Sequence, residues 1–413
     1  LFPAGCTVEM KVDPHDRLRI AFLTTEYATE ENFHGGLANY LRRTARALLE
    51  RGHEPEIFIA STEMCTFVQD GVIVHRVAYE GSISRMFDAL TRSRLTQARR
   101  ILLLSRALKR AFATRHARKP FHIVQSSSYL SPGYCLSRFR PVPVVTRLSS
   151  YEPLWSVLYG QKRTLDQRLK EYFEIVCLRR SDAVYAPSAF LSRIVRKETS
   201  IPVDVVRPPF VPHIPATEEP SAEDPLGEKR YLLFFGSLGL LKGGEALAAS
   251  LPALLGRYPD LHFAVAGKVF HGPREGISML EHIRGKSGVH KDRIINLGIL
   301  SPSGLYPVIR RAEAVVLPSL ADNFPNTMLE AMSLGKVVVG AEGASFEEMI
   351  EDGVSGLLVK PGDPSSLLGA MEKAWNMSRE ERNRIGNNAR ERVSFLSPDR
   401  TCPILVEYFR RLL

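Results

Sequence analysis

Short apolar runs, many of them rich in β-branched and aromatic residues, recur along this chain, and helical stretches separate most of them. Residues 19–24, 56–60, 73–77, 122–125, 142–146 and 182–187 are such runs in the first half, and 231–235, 262–266, 294–297, 314–317, 337–339 and 356–359 in the second. Short runs of this kind bounded by turn residues read as buried strands, and the stretches between them, such as 37–51 closed by Gly52, carry a helical period. Parallel strands need long crossovers, which helices supply. The alternation therefore predicts an α/β chain with doubly wound parallel sheets. Strand, helix, strand at 182–187, 189–197 and 203–206 completes the first half. A connector then follows at 207–228, where Pro208, Pro209, Pro212, Pro215, Pro220 and Pro225 punctuate the chain. The expected organisation is a tail at 1–18, a first domain at 19–206, the connector at 207–228, a second domain at 229–396, and a final segment at 397–413. In that segment a helix of about 403–412 follows a break at Ser397-Pro398. A length of 413 residues with 44% hydrophobic residues is ample for two or three full cores.

Charge is divided unevenly. Through Phe210 there are 32 Lys and Arg against 20 Asp and Glu, or +12, and the remaining 23 against 25 give −2. The densest basic stretch is 92–119, which holds ten Lys or Arg, no acid, and apolar residues at Ile101, Leu102, Leu104, Leu108 and Phe112. Such a pattern fits either a helix laid on an anionic membrane surface or a core-packed helix with a solvated basic face. No aromatic-rich binding module accompanies the charge, so nucleic acid is not expected. Cys6, Cys65, Cys135, Cys177 and Cys402 are odd in number and scattered, which argues against a disulfide framework or a zinc cluster and for a reducing cytoplasm. No apolar run approaches the roughly 20 residues of a membrane span, and residues 1–18 do not resemble a signal peptide. The expected location is cytoplasmic, with the inner membrane face as a peripheral partner through residues 92–119.

The stretch 317–336, LPSLADNFPNTMLEAMSLGK, carries the most chemistry. A buried strand ends at Leu317, a loop runs from Pro318 to Pro325, and a helix is expected at 327–335. Asp322 then lies in the loop and Glu330 in the first turns of the helix. The N–H groups of Asn326, Thr327 and Met328 and the positive end of the helix dipole suit a phosphate. Glu330 suits a pair of ribose hydroxyls, and a nucleotide-sugar is a ligand with all three needs. An acid-capped helix after a strand is the simpler structural alternative.

At these residues the chain resembles the retaining glycosyltransferases of the GT-B fold, with two Rossmann-like domains facing across a cleft, and in particular glycosyltransferase family four. The family's signature is an acid, a Gly-Phe-Gly-like loop, and a second Glu eight positions on. Here Asn323, Phe324 and Pro325 occupy the loop, and Leu329-Glu330-Ala331-Met332 reproduces the helix. Asp322 replaces the usual first Glu, and Pro325 has no N–H to offer. The resemblance implies that Asp322 touches the donor sugar and that the last helix crosses back to the first domain. It also implies that a first-domain surface meets the membrane in members with lipid-linked acceptors.

Two glycine segments complete the expected donor site. Gly35 and Gly36, after the first strand, allow backbone amides to approach an anion just where a helix begins, and by resemblance Gly36 meets the distal phosphate. Gly236-Ser237-Leu238-Gly239-Leu240-Leu241-Lys242-Gly243 follows the first strand of the second domain and is neither a Walker loop nor a dinucleotide fingerprint. The family places an Arg and a Lys here to neutralise the diphosphate; Lys242 matches the Lys, while Ser237 stands in the place of the Arg. Lys268 or Arg147 are candidate substitutes. Gly267-Lys268 and the segment around Ile299 and Leu300 occupy positions where relatives hold the base through the main chain, which leaves uracil, guanine, adenine and thymine open, with a UDP-sugar preferred.

The first domain matches less. Many relatives carry a His near its third or fourth strand, whereas the corresponding stretches read Gln125-Ser126-Ser127-Ser128 and Thr146-Arg147-Leu148-Ser149-Ser150. Ser127, Arg147, Ser149 and Tyr151 are the acceptor-side candidates, with Tyr151, Trp155 and Tyr159 as a possible acceptor loop or as core. His122 is expected to pack or lie at the surface. The leading expectation is retaining transfer from a nucleotide-sugar to a hydroxyl of a glycan, lipid-linked or metabolite acceptor, in polysaccharide or glycoconjugate assembly. Lys242, Asp322 and Glu330 would carry it through electrostatic stabilisation. No D-x-D triplet occurs, so neither a metal nor another cofactor is expected. The alternatives are a non-catalytic nucleotide-binding scaffold, and a nucleotide-sugar epimerase or phosphorylase.

Overall fold

The computed structural model describes residues 17–28, 35–79, 95–160, 164–212 and 225–413. Most of the expected tail, His34, residues 92–94 and positions 213–224 of the connector lie outside the described residues. Two compact units result. One comprises the chain to Pro187 with Leu191–Pro209 and Pro398–Leu413, and the other comprises Ser188–Phe190 and Phe210–Ser397.

In the first half the elements are β1 (Arg19–Thr24), α1 (Gly36–Leu49), β2 (Glu54–Ser61), β3 (Cys65–Gln69), β4 (Val72–Ala78), α2 (Thr96–Arg118), β5 (Ile123–Ser127) and β6 (Val144–Arg147). There follow α3 (Glu152–Leu158), α4 (Leu165–Arg180), β7 (Ala183–Ala186), α5 (Ala189–Thr199) and β8 (Asp204–Val205). The sheet order is β3-β4-β2-β1-β5-β6-β7-β8. Every pairing is parallel except that of β3 with β4. The antiparallel β3 was not expected from the sequence. Its half-exposed residues lack a clean apolar alternation, and it forms because Asp70 and Gly71, both at positive φ, make a two-residue hairpin turn.

The second half runs β9 (Tyr231–Phe235), α6 (Gly244–Arg257), β10 (His262–Ala266), α7 (Met279–Ser287), β11 (Ile294–Gly298), α8 (Pro302–Arg311), β12 (Ala314–Leu317), α9 (Asn326–Ser333), β13 (Val338–Ala341), β14 (Leu357–Val359), α10 (Pro364–Asn376) and α11 (Arg379–Ser394). Its sheet is wholly parallel, with order β11-β10-β9-β12-β13-β14. Four of these helices, α7, α8, α10 and α11, start where side chains accept the first-turn N–H groups: Ser278 in a capping box with Glu281, Ser301 before Pro302, Asp363 before Pro364, and Ser378. The core is one cluster that includes Leu232, Phe234, Val265, Val316, Met328, Met332 and Phe346.

The last helix, α12 (Pro398–Arg410), belongs to the first unit, where Leu405, Val406 and Phe409 pack with Tyr40, Leu41 and Tyr185. It begins about one turn before the expected Pro403. Pro398 takes the first position, where a missing N–H costs nothing, and Pro403 is carried inside the helix. On the opposite sheet face α2 buries Ala98, Ile101, Leu104, Leu108 and Phe112 against Ala21, Leu23 and Phe58. Burying each large apolar side chain stabilises by about 1.5–3 kcal/mol. The apolar face of α2 is therefore committed to the core, and Arg100, Arg106, Arg110 and Arg118 face solvent. Of the two readings of this segment, the core-packed helix is the one formed. Residues 152–158 likewise form a helix rather than a loop, with Tyr151 only 1% exposed at its start. Among the described residues no helix is long and apolar enough to cross a membrane.

Candidate donor and acceptor sites

In the second unit the strand order reverses between β9 and β12, and the carboxyl ends of two such strands bound a crevice in doubly wound sheets. The loop leaving β9 forms a single 3-10 turn, Leu240–Lys242, and Gly243 ends it at φ +80°. A Cβ on Gly243 would stand 2.1 Å from the Pro318 carbonyl oxygen, so the loops after β9 and β12 meet backbone to backbone. The Leu320 N–H donates to the Leu241 carbonyl at 2.9 Å across the same contact. This approach sets Lys242 Nζ against Asp322 Oδ2 as an ion pair. Asp322 Oδ1 accepts the Asn323 N–H at 2.9 Å, which fixes the carboxylate plane.

Beyond Asn323 the chain turns inward. Phe324 is 9% exposed and belongs to the core cluster, so its side chain anchors the loop instead of facing a ligand. Helix α9 starts at Asn326, after Pro325, and no side chain caps it. Its first-turn N–H groups have no acceptors within the helix and carry the positive dipole end. Gly236 lies against that turn, since a Cβ there would be 3.3 Å from Thr327 Cγ2. Glu330 is half-buried one turn further along. Gly267, at φ +126°, donates its N–H to the Gly298 carbonyl at 2.6 Å, and a Cβ on it would meet the Gly236 oxygen at 2.2 Å. The turns after β9, β10 and β11 are thus stacked through backbone. Ser237 is exposed, Leu300 half-buried, and Ile299 63% exposed; Lys268 is exposed with its ammonium 5.1 Å from the Phe270 ring centre. Gly243 and Gly298 hold the arrangement together, and only the density of glycine at strand ends signalled them in the sequence.

In the first unit Gly35 caps α1, again without a side-chain cap, and Gly36 is its first residue. A carboxyl that sequence reading missed lies there: Glu26 Oε2 is 2.9 Å from where a Gly35 Cβ would be, and burial raises its pKa above the ordinary carboxylic range. Arg147 ends β6, 6% exposed, with its guanidinium 3.6 Å from the centre of the Tyr40 ring. Ser127, its register partner on β5, is 3% exposed. Ser149 Oγ accepts the Tyr129 N–H at 3.2 Å, and Ser128 Oγ ties Ser149 and Ser150 to the strand end, so Ser149 serves the loop architecture. His122 Nδ1 accepts the Arg19 N–H at 2.8 Å and supports the edge of β1. Among the described residues no three His, Cys, Asp or Glu side chains gather as a metal site.

Two doubly wound units, the first completed by the last helix, have the architecture of the GT-B fold. The chain belongs to the retaining glycosyltransferase family four: the model for Glycosyltransferase Family 4 matches residues 34–211 and that for Glycosyl transferases group 1 matches residues 229–377. An uncharacterized glycosyltransferase of Methanocaldococcus jannaschii is 29% identical over 40% of this chain and 40% of its own length. A D-inositol 3-phosphate glycosyltransferase of Mycolicibacterium gilvum is 25% identical over 80% of this chain and 75% of its own. The chain therefore spans less than half of the first relative and three quarters of the second. Among solved structures, the sucrose-phosphate synthase of Thermosynechococcus elongatus shares the fold with a TM-score of 0.69 at 18% identity, over 96% of this chain and 99% of that one. Anabaena HepE in complex with UDP-glucose does so with a TM-score of 0.68 at 17% identity, over 96% and 100%.

Proposed function

We propose that this protein transfers a hexosyl group, with retention, from a UDP-sugar to a hydroxyl of a glycan, lipid-linked or metabolite acceptor. The observation that carries the reading is the Lys242–Asp322 pair beside the uncapped start of α9, at the β9/β12 switch point. Before the donor arrives, Asp322 neutralises the ammonium. A bound diphosphate takes over that ammonium and the Thr327 end of the helix, and Asp322 is released to orient the sugar hydroxyls. Glu330, one turn on, accepts from the ribose. As the bond to the diphosphate breaks, Lys242 and the helix end stabilise the departing charge, and the acceptor hydroxyl attacks from the side the diphosphate leaves, its proton passing to the departing diphosphate oxygen. The UDP-glucose complex of HepE supports uridine as the base and glucose as a first sugar to try. The absence of a D-x-D triplet from the sequence is the ground for expecting turnover without a divalent metal, and loss of turnover in EDTA would overturn that.

A second reading rests on Ser237. With an exposed serine where the family has Arg, the diphosphate clamp is half complete, which favours a nucleotide-binding scaffold without turnover. Thermal stabilisation by UDP, GDP, ADP, CDP and dTDP, followed by UDP release from UDP-glucose with an acceptor panel, separates the readings. Stabilisation by one nucleotide with acceptor-dependent release supports the transferase. Stabilisation with no release from any matching sugar donor supports the scaffold, and interconversion of the donor sugar without acceptor identifies an epimerase. The exposed arginines of α2 support a peripheral contact with anionic membrane by charge alone, since the helix keeps its apolar face in the core.

A further inference from the structure

Three residues from the middle of the sequence, Ser188–Phe190, belong to the second unit, and two side chains of that unit hold them. The first-turn N–H groups of a helix need acceptors from outside it. At the start of α5 one carboxylate supplies two: Glu348 Oε2 accepts the Ala189 N–H at 2.9 Å and Oε1 accepts the Phe190 N–H at 2.8 Å. The residue before them is held as well, since Ser188, fully buried, donates its Oγ hydrogen to Asn323 Oδ1 at 3.3 Å. The chain is bent to deliver Glu348. Ser345 lies at φ +65° with no exposed surface, a left-handed backbone that glycine adopts freely and serine does not. It opens the 3-10 turn Phe346–Glu348, and Phe346 locks that turn into the core, where a Cβ on Gly340 would stand 2.4 Å from its ring. Strained backbone persists where its surroundings over-determine it, and it gathers at functional sites.

Asn323 links this clasp to Asp322. Its side chain takes the Ser188 hydroxyl, and its N–H holds Asp322 Oδ1 at 2.9 Å. In the free protein Asp322 has a second support, the Lys242 ammonium on Oδ2. On the proposed course of the reaction, on which this inference rests, the diphosphate takes that ammonium when the donor binds, and the Asn323 N–H is left to hold the carboxylate. A group that must orient sugar hydroxyls has to stay within about 0.5 Å and 10–20° of its working geometry, and only locked neighbours keep it there. We infer that Ser188 and Glu348 are positioning residues for Asp322: together they fix Ser188–Phe190, which fixes Asn323, which keeps the Asp322 carboxylate in place after Lys242 has turned to the diphosphate. They act through Asn323 and carry no chemistry of their own. Their effect is therefore on recognition of the sugar and not of the nucleotide, and it is largest once the ion pair has been broken.

Hydrogen exchange of the full chain, read by mass spectrometry with and without UDP, tests the clasp without any transfer. In Ser188→Ala and Glu348→Gln, peptides covering 317–326 should exchange about five- to tenfold faster with UDP bound, as loss of one hydrogen bond gives, and change less without it. Peptides of the core strand 231–235 should keep the wild-type rate, which shows that the variants fold. Thermal stabilisation by UDP and by UDP-glucose then tests what the clasp does. UDP stabilisation should be the same in wild type, Ser188→Ala, Asp322→Ala and the double variant, whereas the increment that UDP-glucose adds over UDP should fall in Ser188→Ala and in Asp322→Ala. Ser188→Ala should lower it no further when Asp322 is already alanine, because a residue that acts through Asp322 has nothing left to position. Unchanged exchange over 317–326 in Ser188→Ala overturns the inference. So does an increment that Ser188→Ala lowers equally with and without Asp322, or a loss of UDP and UDP-glucose stabilisation alike, since each marks a merely structural contact. Faster exchange in Ser188→Ala with an increment that Asp322→Ala leaves untouched supports the clasp on the loop and removes instead the reading of Asp322 as the acid that orients the sugar.

Discussion

Gly243 and Gly276 make a matched pair for testing whether the two loops that carry Lys242 and Asp322 are set by backbone contact. Their φ angles are +80° and +79°, so alanine suffers the same left-handed backbone at both. That penalty is about 1–2 kcal/mol, reduced by about 0.4–1 kcal/mol through the stiffer unfolded chain. A Cβ on Gly276 meets nothing within 4 Å, whereas one on Gly243 would be 2.1 Å from the Pro318 oxygen. A carbonyl oxygen in the main chain cannot swing aside like a flexible side chain, so the β12 loop must retreat by about 1 Å, and overpacking of this kind adds about 1–3 kcal/mol. Gly276→Ala should therefore cost about 1 kcal/mol and Gly243→Ala about 2–4 kcal/mol. At about 2–4 °C per kcal/mol for a domain of this size, the second unit would melt about 2–4 °C lower in Gly276→Ala and about 4–16 °C lower in Gly243→Ala. Displacement of about 1 Å at a site of transfer lowers turnover on the order of a hundredfold. Scanning calorimetry with and without UDP reads the melting shift and the state of the donor site, and UDP release from UDP-glucose reads turnover. Equal melting shifts in the two variants, or unchanged UDP stabilisation in Gly243→Ala, would refute the argument.

Other expectations follow from single groups. Glu330→Ala should weaken UDP stabilisation, while Asp322→Ala should retain it and lose sugar transfer; unchanged UDP affinity in a folded Glu330→Ala protein removes the ribose assignment. Burial alone would raise the Glu56 carboxyl, but His75, Arg115 and Arg19 overcome it and hold it at about 2. Its stability contribution, roughly 2 kcal/mol after screening at the partly exposed Arg115, is complete above pH 4.5 and is lost as pH falls toward 2. Urea unfolding of Glu56→Gln from pH 7 to 3 should show a deficit that narrows below pH 4.5. Glu174 has the opposite sign, since burial pushes its carboxyl up to about 8. Stability linked to it is present below pH 4.5 and falls away up to pH 8, so Glu174→Gln should gain on wild type as pH rises, by roughly 2–3 kcal/mol at pH 7; parallel pH curves would contradict this. Vesicles with anionic headgroups should bind through α2 with strong salt dependence and lose binding in Arg106→Glu/Arg110→Glu, and binding that resists high salt would contradict contact by charge alone.

The parallel strands were legible because burial on both faces writes them as continuous apolar runs, as in Tyr231–Phe235 and Ala314–Leu317. The placement of Asp322 in a loop after a strand and of Glu330 in the helix that follows was legible because a strand end and a helix start mark both in the sequence. What escaped depends on space, not on spacing. β3 is held by its hairpin turn rather than by its own composition. Phe324 belongs to a loop but is drawn under it by the core. Glu26 meets Gly35 only because β1 and α1 are brought together across residues with no shared motif.

The last helix has a consequence for synthesis. The first unit contains the earliest-made strands, yet Leu405, Val406 and Phe409 of α12 are part of its core. The ribosome therefore releases the long second-unit segment from Phe210 to Ser397 before α12 can complete the first unit. Until then Tyr40, Leu41 and Tyr185 stand uncovered, and a chain stopped short of Pro398 would leave its earlier half, not its later one, as the part that chaperones and proteases find.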